Sequence, residues 1–588
     1  MQMLKTYRDL LDAWEISQHK VFEQMLKKRG IRSQSGIVSV QVLTKPFRCP
    51  GKCIFCPNDF TMPKSYINTE PGAMRALLNN FDPIKQVYNR LLSLTLTGHE
   101  TDKIEMIVLW GTRDVYPDDY KIQFVKWLYD ACNTFPEFYK RVNLTIRGTK
   151  SLYSIEDEET ESKGEESIQS LVSSTDVSQY DYPETIEESI LRNETAWQRI
   201  IGLTVETRPE YVTHENCQLR RRLGVTRLEI GIQSTNDEVL TMNKRWHSVE
   251  QCRQALHRLR QYGFKFSIHI MPGLYGSDPG KDLQTFKDIY SDPWFKPDEI
   301  KFYPTSVIPN TELYELYLAG TYKPIESSAI KEIITTTFRD IIPPYTRIKR
   351  LIRDIPSTEI IAGSSVTNLA QLMHEWLYKQ RRNTDIAKWL YQRLFADYTQ
   401  YKSLDDYLQD PSITTKAIHT IIIGDTIPDL ESDRAFVSLD TRSREIRHEK
   451  IHLSDTMTVI RHYESSVGDE YFISIETAQG YLYGFTRLLL PKEGETIDYP
   501  WLGKSTALIR ELHVYGQVAW LGTSEGESGK TQHTGVGKSV MAIAEQIASH
   551  GGYERLSVIA GIGVRDYYRK LGYTLEWTYM IKELKVQS

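Results

Sequence analysis

The sequence predicts an α/β protein, a partial (β/α)6 barrel followed by a smaller α+β domain. Two observations lead to this expectation. Between about residues 36 and 365, short β-branched or aromatic runs alternate with helical patterns, which is typical of a parallel sheet. From about residue 434 the pattern changes to antiparallel strands, a glycine turn and a helix. The chain has 588 residues, and at roughly 150 residues per domain this length allows such a division.

The N-terminal part of the chain predicts a helix and then a strand. Residues 1–35 carry apolar side chains at helical spacing and include the basic run KKRGIR, where Gly30 is a natural helix stop. We expect a basic helix here that can contact a phosphate-rich partner. The following run, GIVSVQVLT, alternates and predicts a strand.

The barrel is expected to contain further strands, with functional loops at their carboxyl ends. The runs that predict them are IEMIVLW, VNLTIRG, IIGLTVET, RLEIGIQS, KFSIHIMPG and EIKFYPT. Residues 366–433 then predict a helical linker. Residues 434–588 predict antiparallel strands, a helix in KSVMAIAEQIASHGG, the strand RLSVIAGIG, a short helix in VRDYYRKLG and a final strand.

The charge is distributed unevenly along the chain. The formal net charge is -5, but residues 155–188 contain 12 acidic residues and one basic residue, a local net charge of -11. The rest of the chain therefore carries -5 + 11 = +6. The acidic segment, about residues 153–188, is rich in Ser and Glu and predicts a disordered surface insertion. A mildly basic body is compatible with an RNA partner.

The composition also argues against membrane and secreted classes of protein. The sequence has no run of 18 apolar residues, and its N-terminus has charges throughout with no apolar core typical of a secretory signal. Six cysteines in 588 residues are too few for a disulfide scaffold. We expect a cytoplasmic protein with no membrane contact.

Three of the six cysteines form a Cys-x3-Cys-x2-Cys loop directly after the first strand. Cys49, Cys53 and Cys56 could hold three irons of a [4Fe-4S] cluster and leave the fourth iron open for S-adenosylmethionine (SAM), the arrangement of radical-SAM enzymes. A zinc site is the alternative, but tetrahedral zinc needs a fourth ligand, which this segment does not offer. The other cysteines are expected to be buried thiols.

The glycine turn before the late helix predicts a pyrophosphate site. Backbone N–H groups at the start of a helix bind phosphate groups. The run QHTGVGK is not a Walker A loop, because Gln532 stands where that motif needs its first glycine. It is similar instead to the acetyl-CoA loop of GNAT acyltransferases, and the segment RDYYRKLGY follows at a suitable spacing.

Both halves together resemble the catalytic subunit of Elongator and its stand-alone archaeal and bacterial relatives. The resemblance runs from about residue 28 to the end. It rests on the segments SGIVSVQVLTKPFRCPGKCIFCP, EPGAMRALLNNFDP, TGHETDKIEMIV, GLTVETRPEYV, GVTRLEIGIQS, IKFYPT, ALIRELHVYG, QHTGVGK and YYRKLGY. It implies a radical-SAM barrel joined to a GNAT domain, and an enzyme that modifies C5 of the wobble uridine of tRNA.

The resemblance also implies roles for particular residues. Cys49, Cys53 and Cys56 correspond to the cluster ligands, and Lys301 to a lysine that contacts SAM or substrate, with a structural ion pair as the alternative. His513, Glu511 and Tyr568 are the other candidate catalytic residues. The residues expected to bind acetyl-CoA are Lys103, Glu511, Leu512, His513, Val514, Gln532, Gly535, Val536, Gly537, Lys538 and Tyr568.

The chemistry that the resemblance implies joins the two halves. A 5'-deoxyadenosyl radical takes hydrogen from the methyl group of acetyl-CoA, the carbon radical adds to C5 of the uridine, and thioester hydrolysis leaves a 5-carboxymethyl group. An electron donor is required, and a homodimer or other Elongator-type subunits are candidate partners. The clusters expected to contact tRNA phosphates are Lys27, Lys28, Arg29 and Arg32, then Arg220, Arg221 and Arg222, and then Arg347, Lys349, Arg350 and Arg353.

The chain departs from the family pattern at several places. Trp110 and Trp246 stand where the family usually has glycine, which bears on SAM binding. Residues 437–445 lack the cysteines of the zinc site that many relatives carry, so we expect no zinc. Two other functions stay open: a protein lysine acetyltransferase with a structural Fe-S module, and a weakened homologue that binds tRNA.

Overall fold

The computed structural model describes most of the chain. The described residues are 36–59, 61–109, 116–148, 168–353, 355–363, 389–390, 392–410, 419–428, 438–446, 455–495, 505–515 and 535–585. The expected N-terminal helix, Trp110 and Gln532 lie outside them. None of the helices in these ranges combines the length and the apolar character that crossing a bilayer requires.

The first half is built on a sheet of seven parallel strands in sequential order, β1 to β7. The strands are β1 (Ile37–Leu43), β2 (Lys103–Leu109), β3 (Arg199–Thr207), β4 (Arg227–Gln233), β5 (Lys265–Ile270), β6 (Glu299–Phe302) and β7 (Arg347–Arg350). Their core apolar residues alternate along the strands, as in Leu228, Ile230 and Ile232 of β4, and intervening residues such as Glu229 and Gly231 line a cavity on the other face. In the described part of the chain β1 and β7 are the two edges, so the sheet is an open partial barrel.

Helices connect the parallel strands and cover the sheet. They are α1 (Pro71–Leu78), α2 (Pro83–Leu96), α3 (Asp118–Gly148), α4 (Ile186–Thr195), α5 (His214–Arg222), α6 (Asp237–Met242), α7 (Val249–Gln261), α8 (Pro279–Ser291), α9 (Glu312–Leu318) and α10 (Ser327–Thr336). Local sequence starts several of them. Thr185 and Glu188 form a capping box at α4, and Ser248 and Gln251 form another at α7.

Two expectations for this half are wrong. The run VNLTIRG, expected as a strand, is the end of the helix α3. Its β-branched residues favour a strand, but the preceding residues from Asp118 onward propagate the helix through it. The described part of the acidic insertion, residues 168–188, is ordered: residues 168–173 are helical, and Val172 and Tyr180 are buried in the core. The prediction of disorder is wrong for these residues because their apolar side chains pack against the core although the segment is acidic overall.

The second half is built on a mixed sheet of nine strands, in the order β15-β16-β14-β13-β12-β11-β10-β9-β8. The strands are β8 (Thr399–Tyr401), β9 (His419–Ile423), β10 (Thr456–Glu464), β11 (Gly468–Thr477), β12 (Leu482–Pro491), β13 (Thr506–Val514), β14 (Arg555–Val558), β15 (Thr574–Glu576) and β16 (Tyr579–Glu583). Its helices are α11 (Leu404–Leu408), α12 (Val536–His550) and α13 (Arg565–Arg569).

The strands β8 and β9 lie in the range expected to be a helical linker. They pair with each other and, through β9, with β10, so they extend the second sheet. The expectation is therefore wrong for residues 399–401 and 419–423. These strands are short, and β8 has little apolar alternation, so sheet pairing rather than local pattern fixes them.

The two halves share a buried interface. Leu508, Ile562 and Tyr579 of the second half belong to the same hydrophobic cluster as the core of the first half. Across it, buried Arg510 pairs with Asp298 at 2.6 Å, and buried Arg260 pairs with Glu470 at 2.9 Å. Removing one partner of such a pair leaves an uncompensated buried charge, so these pairs fix how the halves dock.

Candidate active site

One cavity of about 1410 Å³ is lined by residues of both halves. It extends from the cysteine loop along the ends of the parallel strands to β13 and the start of α12. Most of the site residues predicted from the sequence line it. These are Cys49, Cys53, Cys56, Lys103, Lys301, Arg347, Lys349, Arg350, Glu511, Leu512, His513, Val514, Gly535, Gly537, Lys538 and Tyr568. Val536 packs in the core of the second half instead.

The cysteine loop follows β1 and closes in a tight turn. The N–H of Cys56 donates to the carbonyl of Cys53 at 3.1 Å, and the N–H of Ile54 donates to Asn243 at 3.4 Å. Gly51 lies so close to the guanidinium of Arg208 that a Cβ at this position would clash with it. The loop is therefore held against Arg208, just after β3, and Asn243, just after α6, and its three cysteines line the cavity.

Two arginines that are not among the predicted site residues contact the central cysteine. Arg245 and Arg208 donate to the Cys53 sulfur at 3.3 Å and 3.5 Å. A hydrogen bond from the Cys56 thiol, together with these two guanidinium groups, lowers the pKa of Cys53 well below its ordinary value. Three thiols in one turn, one of them stabilised as a thiolate, fit the sulfur donor set of an iron–sulfur cluster. Arg208 lies in ETRPEYV, one of the segments that carry the family resemblance, so its position in the sequence could have indicated a functional role.

Beyond the cysteines, the cavity floor is a cluster of alternating charges. Lys301 pairs with Glu229, and Lys349 donates to the same carboxylate at 3.0 Å. Despite its burial, Glu229 is held ionised by these lysines, which keep its pKa well below the usual range. His269 lies beside it, and burial together with Lys301 lowers the pKa of this imidazole to about 4. For Lys301 the sequence allowed either contact with SAM or substrate, or a structural ion pair. The structure shows the ion pair, with Glu229.

The pKa of Glu206 is shifted in the opposite direction to that of Glu229. Burial, and the charge of the neighbouring Glu229, raise the pKa of Glu206 to about 7 although Lys301 opposes the shift. The Tyr66 hydroxyl donates to Glu206 at 2.7 Å. At neutral pH this carboxyl therefore exchanges a proton readily, and neither Glu206 nor His269 was selected from the sequence.

On the coenzyme side, Glu511 and His513 lie two residues apart on β13 and face the cavity. Glu511 accepts from Lys265 at 2.6 Å and from Arg487 at 2.8 Å, and these cations lower its pKa despite burial. Burial lowers the pKa of His513 to about 4, so its ring is neutral at physiological pH. His513 can accept a proton, whereas Glu511 is engaged in two ion pairs.

The helix α12 begins at the predicted glycine turn. Gly535 is its N-cap in the left-handed conformation, with φ of 85°, and no side chain caps the first turn. Among the described residues, no side chain at the N-cap occupies the first N–H groups of α12, the groups that bind anions in pyrophosphate sites. A Cβ on Gly537 would lie 2.6 Å from the Tyr567 hydroxyl. Tyr568 is 5 % exposed, so Tyr567 is the more accessible of the two tyrosines that line the cavity.

The expected phosphate contacts have different outcomes. Lys27, Lys28, Arg29 and Arg32 lie outside the described residues. The expectation is wrong for Arg220 and Arg221, which are buried: Arg220 donates to Thr207 at 3.1 Å, and Arg221 to the carbonyl of Thr578 at 2.6 Å. A run of basic residues does not show which face of a helix is buried, so the burial of these two arginines could not be predicted from the sequence. Arg222 is exposed and pairs with Glu187 at 2.7 Å.

The cations of β7 face the cavity rather than an outer surface. Arg347 pairs with Glu445 at 2.6 Å, and Lys349 pairs with Glu229. Arg353 pairs with Glu70 at 2.7 Å and, like Arg350, lines the cavity. These side chains therefore balance carboxylates inside the site.

The departures from the family pattern also have a structural setting. Trp246 is 53 % exposed and does not line the cavity, although the preceding Arg245 contacts Cys53. In the segment expected to lack zinc, Asp440 accepts from the N–H of Ile348 at 3.3 Å. This segment ties the second half to β7.

Comparison with known proteins agrees with this geometry. The radical SAM superfamily model matches residues 136–289, and the radical SAM C-terminal domain model matches residues 297–379. The tRNA uridine(34) acetyltransferase of Methanocaldococcus infernus is 33 % identical over 96 % of this chain and 89 % of that protein. Elongator complex protein 3 of Homo sapiens is 31 % identical over 98 % of this chain and 89 % of that protein.

A solved structure supports the same relationship. The archaeal Methanocaldococcus infernus Elp3 with an N-terminal deletion superposes with a TM-score of 0.66 and 29 % identity, covering 93 % of this chain and 99 % of that one. The expected fold, a radical-SAM parallel half-barrel joined to a mixed-sheet domain, is confirmed. The chain belongs to the radical-SAM family of tRNA uridine(34) acetyltransferases that includes Elongator complex protein 3.

Proposed function

We propose that this chain modifies the wobble uridine of tRNA at C5, using SAM and acetyl-CoA. The observation that carries the proposal is the shared cavity. The three cysteines at one end and the start of α12 at the other line one continuous space. An enzyme that merely acetylated an amine would have no need to bring these two groups together.

At the cysteine end, Cys49, Cys53 and Cys56 are the residues that would hold a [4Fe-4S] cluster. When bound, the cluster supplies the electron that cleaves SAM reductively. The residues of the chain prepare this end for it. Arg208 and Arg245 donate to the Cys53 sulfur and stabilise its negative charge, and the fold around Asn243 fixes the loop.

At the coenzyme end, the start of α12 would bind the pyrophosphate of acetyl-CoA. Gly535 and Gly537 keep side chains away from the first N–H groups, and Lys538 adds a positive charge there. Lys103, the first residue of β2, lines the same cavity from the other half. This supports a thioester that reaches across the interface between the halves.

Proton handling falls to His513 in this proposal. Its ring is neutral at physiological pH because burial lowers its pKa to about 4, so one ring nitrogen is free to accept a hydrogen bond from the water that hydrolyses the thioester and to orient it. Glu511 stays ionised between Lys265 and Arg487 and orients β13 instead of acting as the base. Lys301 holds Glu229 at the cavity floor, where it shapes the binding site for the nucleobase or SAM.

The partners follow from the same relationship. The substrate named for the curated relatives is a tRNA uridine, and an unpaired anticodon base can enter a cavity of this size. The human relative is named as part of a complex, so Elongator-type subunits or a second copy are candidate partners here too. An electron donor completes the set.

The decisive experiment is an anaerobic assay of the reconstituted protein. SAM, acetyl-CoA, a reductant and tRNA with a wobble uridine are added, and nucleosides are analysed by mass spectrometry. We expect 5-carboxymethyluridine together with 5'-deoxyadenosine. Acetylated lysine peptides without a modified nucleoside would instead indicate a protein acetyltransferase, and tRNA binding without either product would indicate a weakened homologue.

A further inference from the structure

The tyrosine helix α13 of the coenzyme half is held by a carboxylate of the radical-SAM half. Glu194, in the last turn of α4, accepts from Arg565 at 2.8 Å and from Arg569 at 2.6 Å. Glu194 and Arg565 are both buried, with side chains 5 % and 6 % exposed. These two arginines are the first and last residues of α13, so Glu194 fixes both ends of this short helix.

Within its own helix, Glu194 occupies an unfavourable position for a negative charge. A carboxylate in the last turn faces the negative end of the helix dipole, which is unfavourable. Burial adds a desolvation cost to the same charge. The two arginines of α13 offset both, so the charge at Glu194 is accommodated by the contact across the interface.

The loop before α13 is seated on the same part of the radical-SAM half. A Cβ on Gly561 would clash with the carbonyl of Ile201, and a Cβ on Gly563 would lie 2.5 Å from the Cβ of Arg199. Arg199 begins β3 and pairs in register with Lys103, which lines the cavity. The end of α4 and the start of β3 therefore form one continuous surface against which α13 and its preceding loop pack.

The tyrosines of α13 lie between the two arginines that Glu194 holds. Tyr567 brings its hydroxyl against Gly537 at the start of α12, and Tyr568 packs beside it. A shift of α13 would therefore move one wall of the space next to the α12 N-terminus. Such a shift would leave the cysteine loop untouched, because the loop contacts Arg208, Arg245 and Asn243 instead.

We propose that Glu194 is a positioning residue for the acetyl-CoA site, acting through α13 and Tyr567. The inference rests on the proposed function, because it takes acetyl-CoA as the ligand at the start of α12. It makes the radical-SAM half a structural part of the coenzyme site. Acetyl-CoA affinity then depends on correct docking of the two halves.

The test compares two variants of α4 in the full-length reconstituted protein. Glu194→Gln keeps the shape but removes the charge, and Glu187→Gln changes the exposed Glu187–Arg222 pair of the same helix. We expect Glu194→Gln to raise the KM for acetyl-CoA in tRNA-stimulated hydrolysis by about tenfold, as for a lost charge-assisted hydrogen bond. Formation of 5'-deoxyadenosine from SAM should change less than about twofold, because a positioning role leaves the cysteine end intact. Glu187→Gln should match wild type.

The conservative variant sharpens the result. Glu194→Asp keeps a carboxylate that is one methylene shorter, so it should recover part of the acetyl-CoA affinity that Glu194→Gln loses. A wild-type KM for acetyl-CoA in Glu194→Gln would overturn the proposal. So would a parallel fall of acetyl-CoA hydrolysis and deoxyadenosine formation in a folded Glu194→Gln, because this indicates a general structural role.

A second variant covers the case in which Glu194→Gln does not fold. Arg569 is 39 % exposed, so Arg569→Gln removes one of the two bonds at lower cost to folding. A raised KM for acetyl-CoA with unchanged deoxyadenosine formation supports the proposal, and a wild-type KM overturns it. Failure of the wild-type protein to bind acetyl-CoA in calorimetry would contradict the proposed function. If the wild type binds acetyl-CoA and the variants bind it equally well, only the role of Glu194 is contradicted.

Discussion

The cysteine end and the coenzyme end of the cavity are built from different chemical groups. At the cysteine end, side chains provide the binding atoms: three thiols, with Arg208 and Arg245 on the Cys53 sulfur. At the end proposed to bind acetyl-CoA, the start of α12 with Gly535 and Gly537 lines the cavity together with the side chains of Lys103, His513 and Lys538. We therefore expect the first end to depend mainly on its charged side chains, and the second to depend in addition on the shape at Gly537 and on the docking of α13. Mutations at the two ends should therefore have separable effects.

The largest expected effect is at the cysteine end. Cys53→Ala removes one of the three proposed cluster ligands and should abolish iron–sulfur incorporation and SAM cleavage, measured by iron content and 5'-deoxyadenosine formation. Acetyl-CoA binding, measured by calorimetry, should stay within about twofold of wild type because its site is at the other end. Cys132→Ala is the matched control, since Cys132 is a buried thiol of the core. Full modification activity in Cys53→Ala would rule out the cluster assignment.

The coenzyme end should respond to added volume instead. Gly537→Ala places a methyl group 2.6 Å from the Tyr567 hydroxyl, so α13 or α12 must shift. We expect the KM for acetyl-CoA to rise about tenfold or more, with deoxyadenosine formation unchanged. Gln546→Ala, on the exposed face two turns further along the same helix, serves as control. Adding Tyr567→Phe to Gly537→Ala removes the clashing hydroxyl and should restore part of the affinity; no recovery would contradict this steric account.

Between the two ends, Glu206 should make stability depend on pH. Its pKa in the folded protein is about 7, above the ordinary value for glutamate, so the folded state binds this proton more tightly than the unfolded state. Its contribution to the free energy of unfolding is present at low pH and is lost as pH rises from about 4.5 through about 7, by about 1–3 kcal/mol. Glu206→Gln should lack this loss and be relatively more stable at pH 8.

Urea unfolding at several pH values checks the prediction for Glu206. Glu238→Gln, which changes an exposed carboxylate of α6, is the control and should follow the wild-type curve. A Glu206→Gln variant that loses stability between pH 5 and 8 as steeply as wild type would show that another group is responsible.

The smallest effect is expected at Trp246. This side chain is exposed and does not line the cavity, so Trp246→Gly should change deoxyadenosine formation by less than about twofold. The neighbouring variant Arg245→Gln removes a charged donor to Cys53 and should reduce it by about tenfold or more. Equal effects of the two variants would mean that the tryptophan, too, takes part in the cysteine end.

Much of the fold and about half of the site geometry could be predicted from local patterns. Six of the seven parallel strands were predicted from the sequence, because each places apolar residues at alternate positions on the face that packs into the core. The failures were segments whose state depends on distant partners. The run VNLTIRG joins the helix α3, and the short strand β8 is defined by its pairing with β9. The buried Arg220 and Arg221 were mistaken for a surface cluster because sequence charge does not report burial.

The sequence by itself identified the groups that we propose carry the chemistry. Three cysteines within eight residues, and a glycine turn at the start of α12, are local features that need no distant residue to be recognised. The tertiary structure alone decided how these groups are tuned and joined. Arg208 and Arg245 reach Cys53 from 155 and 192 residues away, and Glu194 holds α13 from more than 370 residues away. Electrostatic and packing forces act over a few ångströms of space, so only the fold can bring such pairs into range.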